Sequence, residues 1–350
     1  MQTYTLPVKI ADLKYYDHPH PLQLESGVIL PQLTIGYHTF GTLNKTRDNA
    51  IWVCHALTAN SDIREWWGDL LGPGKLFDTD KYFIVCANML GSCYGTTGPR
   101  SFNPKDYVSY GLQFPTITIR DITKAHLLLL NHLNIDELAL LIGGSCGGHQ
   151  CLEMAIAMPE QVKHLGLLVT SARETAWAIA IHEAGRMALN TDPSFRENYD
   201  RAGAAGLKTA RGQALLGYRT IQSYIDRQTD TDNNKIDGFK AASYVQYQGT
   251  KLERRFYAHA YFYLLNALDS HNVGRGRSSV EAALQSISCP TTIIGIDSDM
   301  LIPVKQQEFI AQHIPNAKLE VISSDFGHDG FLLETAAIEK IMKKALGNGD

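Results

Sequence analysis

Leu140-Leu141-Ile142-Gly143-Gly144-Ser145-Cys146-Gly147-Gly148 is the stretch whose reading decides the fold. It runs from an apolar strand into a glycine-rich turn, and residues 146–158 behind it carry apolar side chains at helical spacing. Gly143-Gly144-Ser145-Cys146-Gly147 is a G-x-S-x-G pentapeptide in the strand–turn–helix setting that the motif needs. The reason is steric. A serine presented at the head of a helix must sit on a tight, strained turn, and Gly143 and Gly147 let neighbouring backbone pass close by. The amides of the first helical turn then favour negative charge that develops there. The bland alternative is a glycine-rich turn with an incidental serine, and the flanking strand and helix count against it.

Outward from this turn, short apolar runs alternate with helical patterns. Residues 50–54, 82–87, 138–142 and 165–170 are expected strands, and residues 119–133 are a second expected helix. Near-continuous apolar strands separated by helices point to a mostly parallel sheet flanked by helices on both faces. Residues 22–40 alternate apolar and polar around Ser26-Gly27, the pattern of an antiparallel hairpin at the sheet edge. The alternation stops after Ser171. Residues 172–285 are rich in Ala, Arg, Tyr and Gln, read mostly helical and hold no convincing buried strand, with a polar loop at 230–235. Strand–helix–strand–helix then resumes at 291–296, 304–313, 318–322 and 335–346. The expectation is one α/β core, residues 1–171 and 286–350, interrupted by a helical lid at 172–285 that covers the active edge of the sheet.

A chain of 350 residues has room for such a core and one sizeable insertion. A net charge of −4 gives no electrostatic ground for nucleic acid or an anionic membrane as partner. No stretch approaches the ~20 apolar residues of a membrane span. Met1-Gln2-Thr3-Tyr4-Thr5-Leu6-Pro7 has no basic region followed by an apolar one, so no secretory leader is expected. The six cysteines, Cys54, Cys86, Cys93, Cys146, Cys151 and Cys289, make no C-x-x-C pair, which speaks against zinc or thioredoxin-like chemistry. Cys54, Cys86 and Cys289 sit in or beside apolar runs, and free buried thiols fit a reducing cytoplasm, the expected location.

A serine hydroxyl is a weak nucleophile and needs a base and an orienting acid. With this kind of elbow they follow in the order serine, acid, histidine, at the carboxyl ends of parallel strands. Residues 291–296 end in Asp297-Ser298-Asp299, and residues 318–322 lead into Asp325-Phe326-Gly327-His328-Asp329-Gly330. His328 is the expected base. The acid is Asp297 or Asp299: Asp299 lies further into the loop, within reach of the far imidazole nitrogen, and Asp297 suits bracing the loop by side-chain-to-backbone bonds. Two backbone N–H groups must face the tetrahedral oxygen. One is expected from Cys146 and one from His55-Ala56-Leu57-Thr58, at Leu57. His55 reads as a loop-bonding histidine at a strand end rather than a second base. His149, on the helix after Ser145, is expected to face packing rather than substrate.

His55-Ala56-Leu57-Thr58, Asn88-Met89-Leu90-Gly91-Ser92-Cys93-Tyr94-Gly95-Thr96-Thr97-Gly98-Pro99, Phe114-Pro115-Thr116-Ile117-Thr118-Ile119-Arg120-Asp121, the serine elbow and Gly327-His328-Asp329-Gly330-Phe331-Leu332 together resemble the homoserine O-acetyltransferases, enzymes of the α/β-hydrolase fold. The likeness runs nearly end to end, and the Leu-Gly-Ser-Cys-Tyr-Gly segment is far more specific than the elbow. Ser298-Asp299-Met300-Leu301-Ile302-Pro303 matches the family's acid loop, which implies Asp299 as the acid. Gly206-Leu207-Lys208-Thr209-Ala210-Arg211 and Gly217-Tyr218-Arg219-Thr220 look like the family segment whose arginine and tyrosine face substrate. By that resemblance Arg211 grips the homoserine carboxylate, Tyr218 helps close the pocket and Asp329 holds the amino group, pairings that suit guanidinium and carboxylate chemistry. Cys146 is a departure, since many relatives carry Met there, but only its amide is asked to act.

The implied reaction is ping-pong transfer of acetyl from acetyl-CoA, through Ser145, to the hydroxyl of L-homoserine, serving methionine synthesis. No metal or bound cofactor is implied, and a homodimer joined through the lid is. Close relatives that use a succinyl donor or serine leave both choices open. A lid-covered esterase, with water as acceptor, is the rival on the same residues, and the clamp of Arg211 and Asp329 favours transfer. A non-catalytic scaffold on this fold has no need of elbow, triad and oxyanion loop together.

Overall fold

The computed structural model describes residues 6–347; Met1–Thr5, most of the stretch read for a leader, lie outside the described residues. Ten strands follow in chain order: β1 (Lys14–His18), β2 (Leu22–Gln23), β3 (Ile29–Leu30), β4 (Leu33–Phe40), β5 (Ala50–Cys54), β6 (Phe83–Ala87), β7 (Leu138–Gly144), β8 (Leu165–Leu168), β9 (Thr291–Ile296) and β10 (Ala317–Ile322). Eight of them form one sheet in the order β1-β4-β6-β5-β7-β8-β9-β10. From β6 to β10 all neighbours are parallel, while β4 runs antiparallel to β6 and β1 antiparallel to β4.

The central strands are mostly apolar because both of their faces are covered. Trp52, Leu141, Leu167 and Ile293 enter one hydrophobic cluster, and Val53, Ile142, Leu168 and Ile294 enter the other. Successive residues thus bury on opposite sides of the sheet, as the pleat requires. The helices of the first half are α1 (Arg64–Trp67), α2 (Ile119–His132) and α3 (Cys146–Ala157). At β5 the strand order reverses: the chain goes out to β6 on one side and returns past β5 to β7 on the other. A crevice opens at such a switch point, beyond the carboxyl ends of the two strands. His55 and Ser145 are the residues that follow them.

Residues 22–40 depart from the expected hairpin. The turn at Ser26-Gly27, with Gly27 at φ 84°, closes only β2 on β3, which form a separate two-stranded sheet. β4 pairs instead with β1 in the main sheet. β1 leaves no alternation to read, because Lys14–His18 is exposed or half-exposed throughout.

Between β8 and β9 the chain forms α4 (Ala176–Asn190), α5 (Ala204–Tyr218), α6 (Ile221–Gln228), α7 (Lys240–Glu253), α8 (Ala258–Asp269) and α9 (Val280–Gln285). The block leaves and rejoins the core at one place: Val273 N–H donates to Ala172 O at 3.0 Å, and Glu174 N–H to His271 O at 3.0 Å. Residues 274–285 then run back along the core, where α9 packs on α3 and on α10 (Val304–His313). α11 (Gly330–Leu333) and α12 (Thr335–Ala345) complete the chain. Among the described residues no helix is long and apolar enough to cross a membrane.

Candidate active site

Ser145 stands between β7 and α3 with φ 56° and ψ −125°. A non-glycine residue rarely adopts positive φ, and it persists only where the surroundings over-determine it. Here they do. Its N–H donates to Leu168 O at 2.9 Å, and the Thr170 hydroxyl donates to Ser145 O at 3.0 Å. The flanking glycines are a packing requirement: a Cβ on Gly147 would lie 2.1 Å from Cys54 O, and one on Gly143 2.6 Å from the Gly147 carbonyl. The crossing of β5 beneath the head of α3 leaves no room for any other residue.

His328, in the turn Gly327–Asp329 after β10, places Nε2 2.8 Å from Ser145 Oγ and Nδ1 2.7 Å from Asp299 Oδ2. The other oxygen of Asp299 accepts the N–H groups of Leu301 at 2.8 Å and Ile302 at 3.0 Å. A carboxylate only accepts, so Nδ1 carries the proton and the neutral ring offers the Nε2 lone pair to the serine hydroxyl. Burial alone would lower the His328 pKa, but the charge and hydrogen bond of Asp299, with Asp329 and Glu174 nearby, raise it above the ordinary value. A hydroxyl, an imidazole and a carboxylate linked in this order can make a serine oxygen nucleophilic. Asp297 does something else: its Oδ1 accepts Ser324 N–H at 3.1 Å and ties the β9 and β10 loops together.

Cys146 is the first residue of α3, so its N–H has no carbonyl four residues back to bond. Ala56, Leu57 and Thr58 line the cavity above Ser145. His55 is a neutral brace for their loop. Its Nδ1–H donates to Ala56 O at 2.9 Å, its Nε2 accepts Met89 N–H at 3.2 Å, and burial pushes its pKa down to about 4. The Cys146 thiol turns to Met89, Sγ to Sδ 3.6 Å, and burial pushes it up to about 12, so it offers no thiolate beside the serine.

The cavity, about 90 Å³, is also lined by Arg211, Tyr218 and Asp329. α5 carries the first two and packs on the turn that holds His328. The Arg211 guanidinium carbon lies 5.2 Å from the Tyr218 ring centroid, and the Tyr218 and His328 rings are 5.9 Å apart. Asp329 Oδ2 is 2.7 Å from Arg219 Nε. His149 corrects an expectation. It does pack, stacked on His271 at 4.0 Å with its Nε2 3.2 Å from Ser171 Oγ, but it also lines the cavity. Burial drives its pKa well below the ordinary value. Glu174 and His182, to which no sequence motif points, line the same cavity. A signal existed for Glu174, which follows β8 at the carboxyl edge of the sheet, where ligand-facing residues collect. His182 lies one helical turn beyond Ala178, on the same inward face of α4.

Residues 49–335 match the alpha/beta hydrolase fold family. The chain is 43% identical to a homoserine O-acetyltransferase of Trichormus variabilis over 332 residues, 94% of this chain and 92% of that one. Its structure resembles the crystal structure of homoserine O-acetyltransferase from Staphylococcus aureus with a TM-score of 0.78 and 26% identity, covering 96% of this chain and 94% of that one. Esterase E22 is similar with a TM-score of 0.86 over 95% of this chain and 99% of that one, at 22% identity, a likeness of fold alone. With a relative 43% identical over 94% of its length, the chain belongs to the homoserine O-acetyltransferase family of the alpha/beta hydrolase fold.

Proposed function

We propose that the protein transfers acetyl from acetyl-CoA to the hydroxyl of L-homoserine by a ping-pong route through Ser145. The observation that carries this reading is that the Ser145–His328–Asp299 chain opens on the same narrow cavity as Arg211, Tyr218 and Asp329. His328 takes the Ser145 proton as Oγ attacks the thioester carbon, and the oxyanion faces the amides of Leu57 and Cys146. Collapse breaks the C–S bond, His328 protonates the departing thiolate, and an acetyl ester stays on Ser145. Homoserine enters with its carboxylate on Arg211 and its amino group toward Asp329, and Tyr218 closes the space beside His328. His328 removes the γ-hydroxyl proton, the alkoxide attacks the ester, and Ser145 Oγ leaves with the proton that His328 returns. The steps use no metal and no cofactor beyond the donor substrate. O-acetylhomoserine then serves methionine synthesis in a reducing cytoplasm, a setting that suits the six free, buried cysteines.

Water is the competing acceptor, and an acyl-enzyme survives only where water is kept out. Here the insertion supports transfer, because α5 packs on the His328 turn and brings Tyr218 into the cavity wall. The test is thiol release from acetyl-CoA and from succinyl-CoA, each with homoserine, serine or no acceptor. Release from acetyl-CoA that depends on homoserine is the expected result. Equal release without acceptor would make the protein an esterase, and preference for succinyl-CoA or serine would reassign donor or acceptor.

A further inference from the structure

The charges around the cavity do not balance as a clamp made only of Arg211 and Asp329 would need. Asp329 is already engaged: its Oδ2 sits 2.7 Å from Arg219 Nε, with both side chains mostly buried. A carboxylate paired in this way offers an incoming ammonium a nearly neutral ion pair rather than a free negative charge. Glu174 is in a different state. It is 7% exposed and lines the cavity together with Ser145 and Arg211. One of its oxygens accepts Thr175 N–H at 2.9 Å. Among the described residues no ion pair or side-chain hydrogen bond reaches the other oxygen.

Its backbone is held where the helical block leaves the core, by the bond from Glu174 N–H to His271 O. Apart from Arg211, the basic side chains near it have other partners. His182 gives Nδ1 to Asp269 at 2.7 Å, Arg186 holds the same carboxylate at 2.6 Å, and His328 is turned to Ser145 and Asp299. Burial pushes the Glu174 carboxyl up, against the opposing influence of His182 and the Thr175 bond. A buried carboxylate without a counter-ion is costly, and a ligand that supplies the cation removes that cost.

We propose that Glu174 is the specificity-determining residue for an amino-bearing acceptor: its free carboxylate oxygen binds the ammonium of homoserine while Arg211 takes the carboxylate. Asp329, balanced by Arg219, orients the amino group without supplying the net charge that selects it. This assignment rests on the homoserine reading above. It gives the zwitterionic acceptor one uncompensated group of each sign in one cavity, which discriminates against acceptors that lack the amine.

The deciding experiment compares kcat/KM for L-homoserine with that for 4-hydroxybutyrate, which keeps the carboxylate and hydroxyl and lacks the amine. Both are measured with acetyl-CoA on the wild-type chain and on Glu174→Gln. Gln keeps the volume and an oxygen for Thr175 N–H, while its NH2 replaces the free oxygen, so the substitution removes the charge and the acceptor that face the ammonium. The expected result is a loss of roughly 10- to 100-fold on homoserine with little change on 4-hydroxybutyrate, the size of a lost charge-assisted bond. A ratio unchanged in Glu174→Gln, or equal losses on both acceptors, overturns the role of Glu174 and leaves the proposed function standing. A wild-type enzyme that does not acetylate homoserine overturns the function and this assignment together.

Discussion

Asp297 and Asp299 stand two residues apart after β9, yet their carboxylates face different partners. Asp299 meets His328 Nδ1 at 2.7 Å, and Asp297 holds the backbone of Ser324. An orienting carboxylate keeps the imidazole in the right tautomer and stabilises its protonated form, a contribution of about 10⁴-fold in serine proteases. Asp299→Asn is therefore expected to lower the rate of thiol release by several orders of magnitude, and Asp297→Asn far less; the reverse order would reassign the acid. The same contact fixes a pH dependence. Burial lowers the His328 pKa, and Asp299 overcomes it, so the folded value lies above the ordinary ~6.5. Only the neutral ring can accept the Ser145 proton. Activity should be full at alkaline pH and fall as pH drops through that raised value. A pH profile of kcat/KM for acetyl-CoA whose acidic limb lies below 6.5 would contradict the geometry.

At the scale of the element, the site depends on how closely α3 starts above β5. Gly147 has Cys54 O 2.1 Å from where its Cβ would be, and a backbone carbonyl in a central strand cannot step aside. Gly147→Ala should cost about 1–3 kcal/mol or more, since overpacking forces backbone shifts. It should also lower activity, because β5 leads into the loop that carries Leu57. Gly68 is the contrast. It has φ −56°, and a Cβ there meets nothing within 4 Å. Gly68→Ala should stabilise by about 0.4–1 kcal/mol through the unfolded chain. Urea denaturation of both variants checks the pair, and similar effects at the two positions would show that the close crossing carries little strain.

Across the whole molecule, large apolar side chains remain exposed on the insertion: Leu216, Ile221, Ile225, Ile236, Phe239 and Tyr247. Ile221 and Ile225 are 71% and 53% exposed on one face of α6, four residues apart. A soluble monomer rarely leaves such a face to water, and we expect a second copy of the chain to cover it, forming a homodimer through the insertion. Light scattering at micromolar concentration should report twice the chain mass, and Ile221→Glu with Ile225→Glu should shift it toward monomer. A monomer in the unaltered protein would refute the arrangement.

By itself the sequence determined the elements whose signal lies in adjacent residues. Ala50–Cys54, Thr291–Ile296 and Val304–His313 are legible to the residue, because a strand covered on both faces carries a mostly apolar run and a packed helix repeats its buried side. The serine elbow and the order serine, acid, histidine are legible for the same reason: a strained turn and strand-end loops leave local marks. β1 was hidden, since a strand with both faces wet carries no alternation. The meeting of Asp329 with Arg219, the presence of Glu174 and His149 in the cavity, and the shared neck at Ala172 and Val273 were decided only by the tertiary structure. Each joins segments far apart in the chain, and whether two such side chains meet depends on how sheet and insertion close on one another. Periodicity records which face of an element is buried; which distant residue lies across from it is settled by the packing of the whole chain.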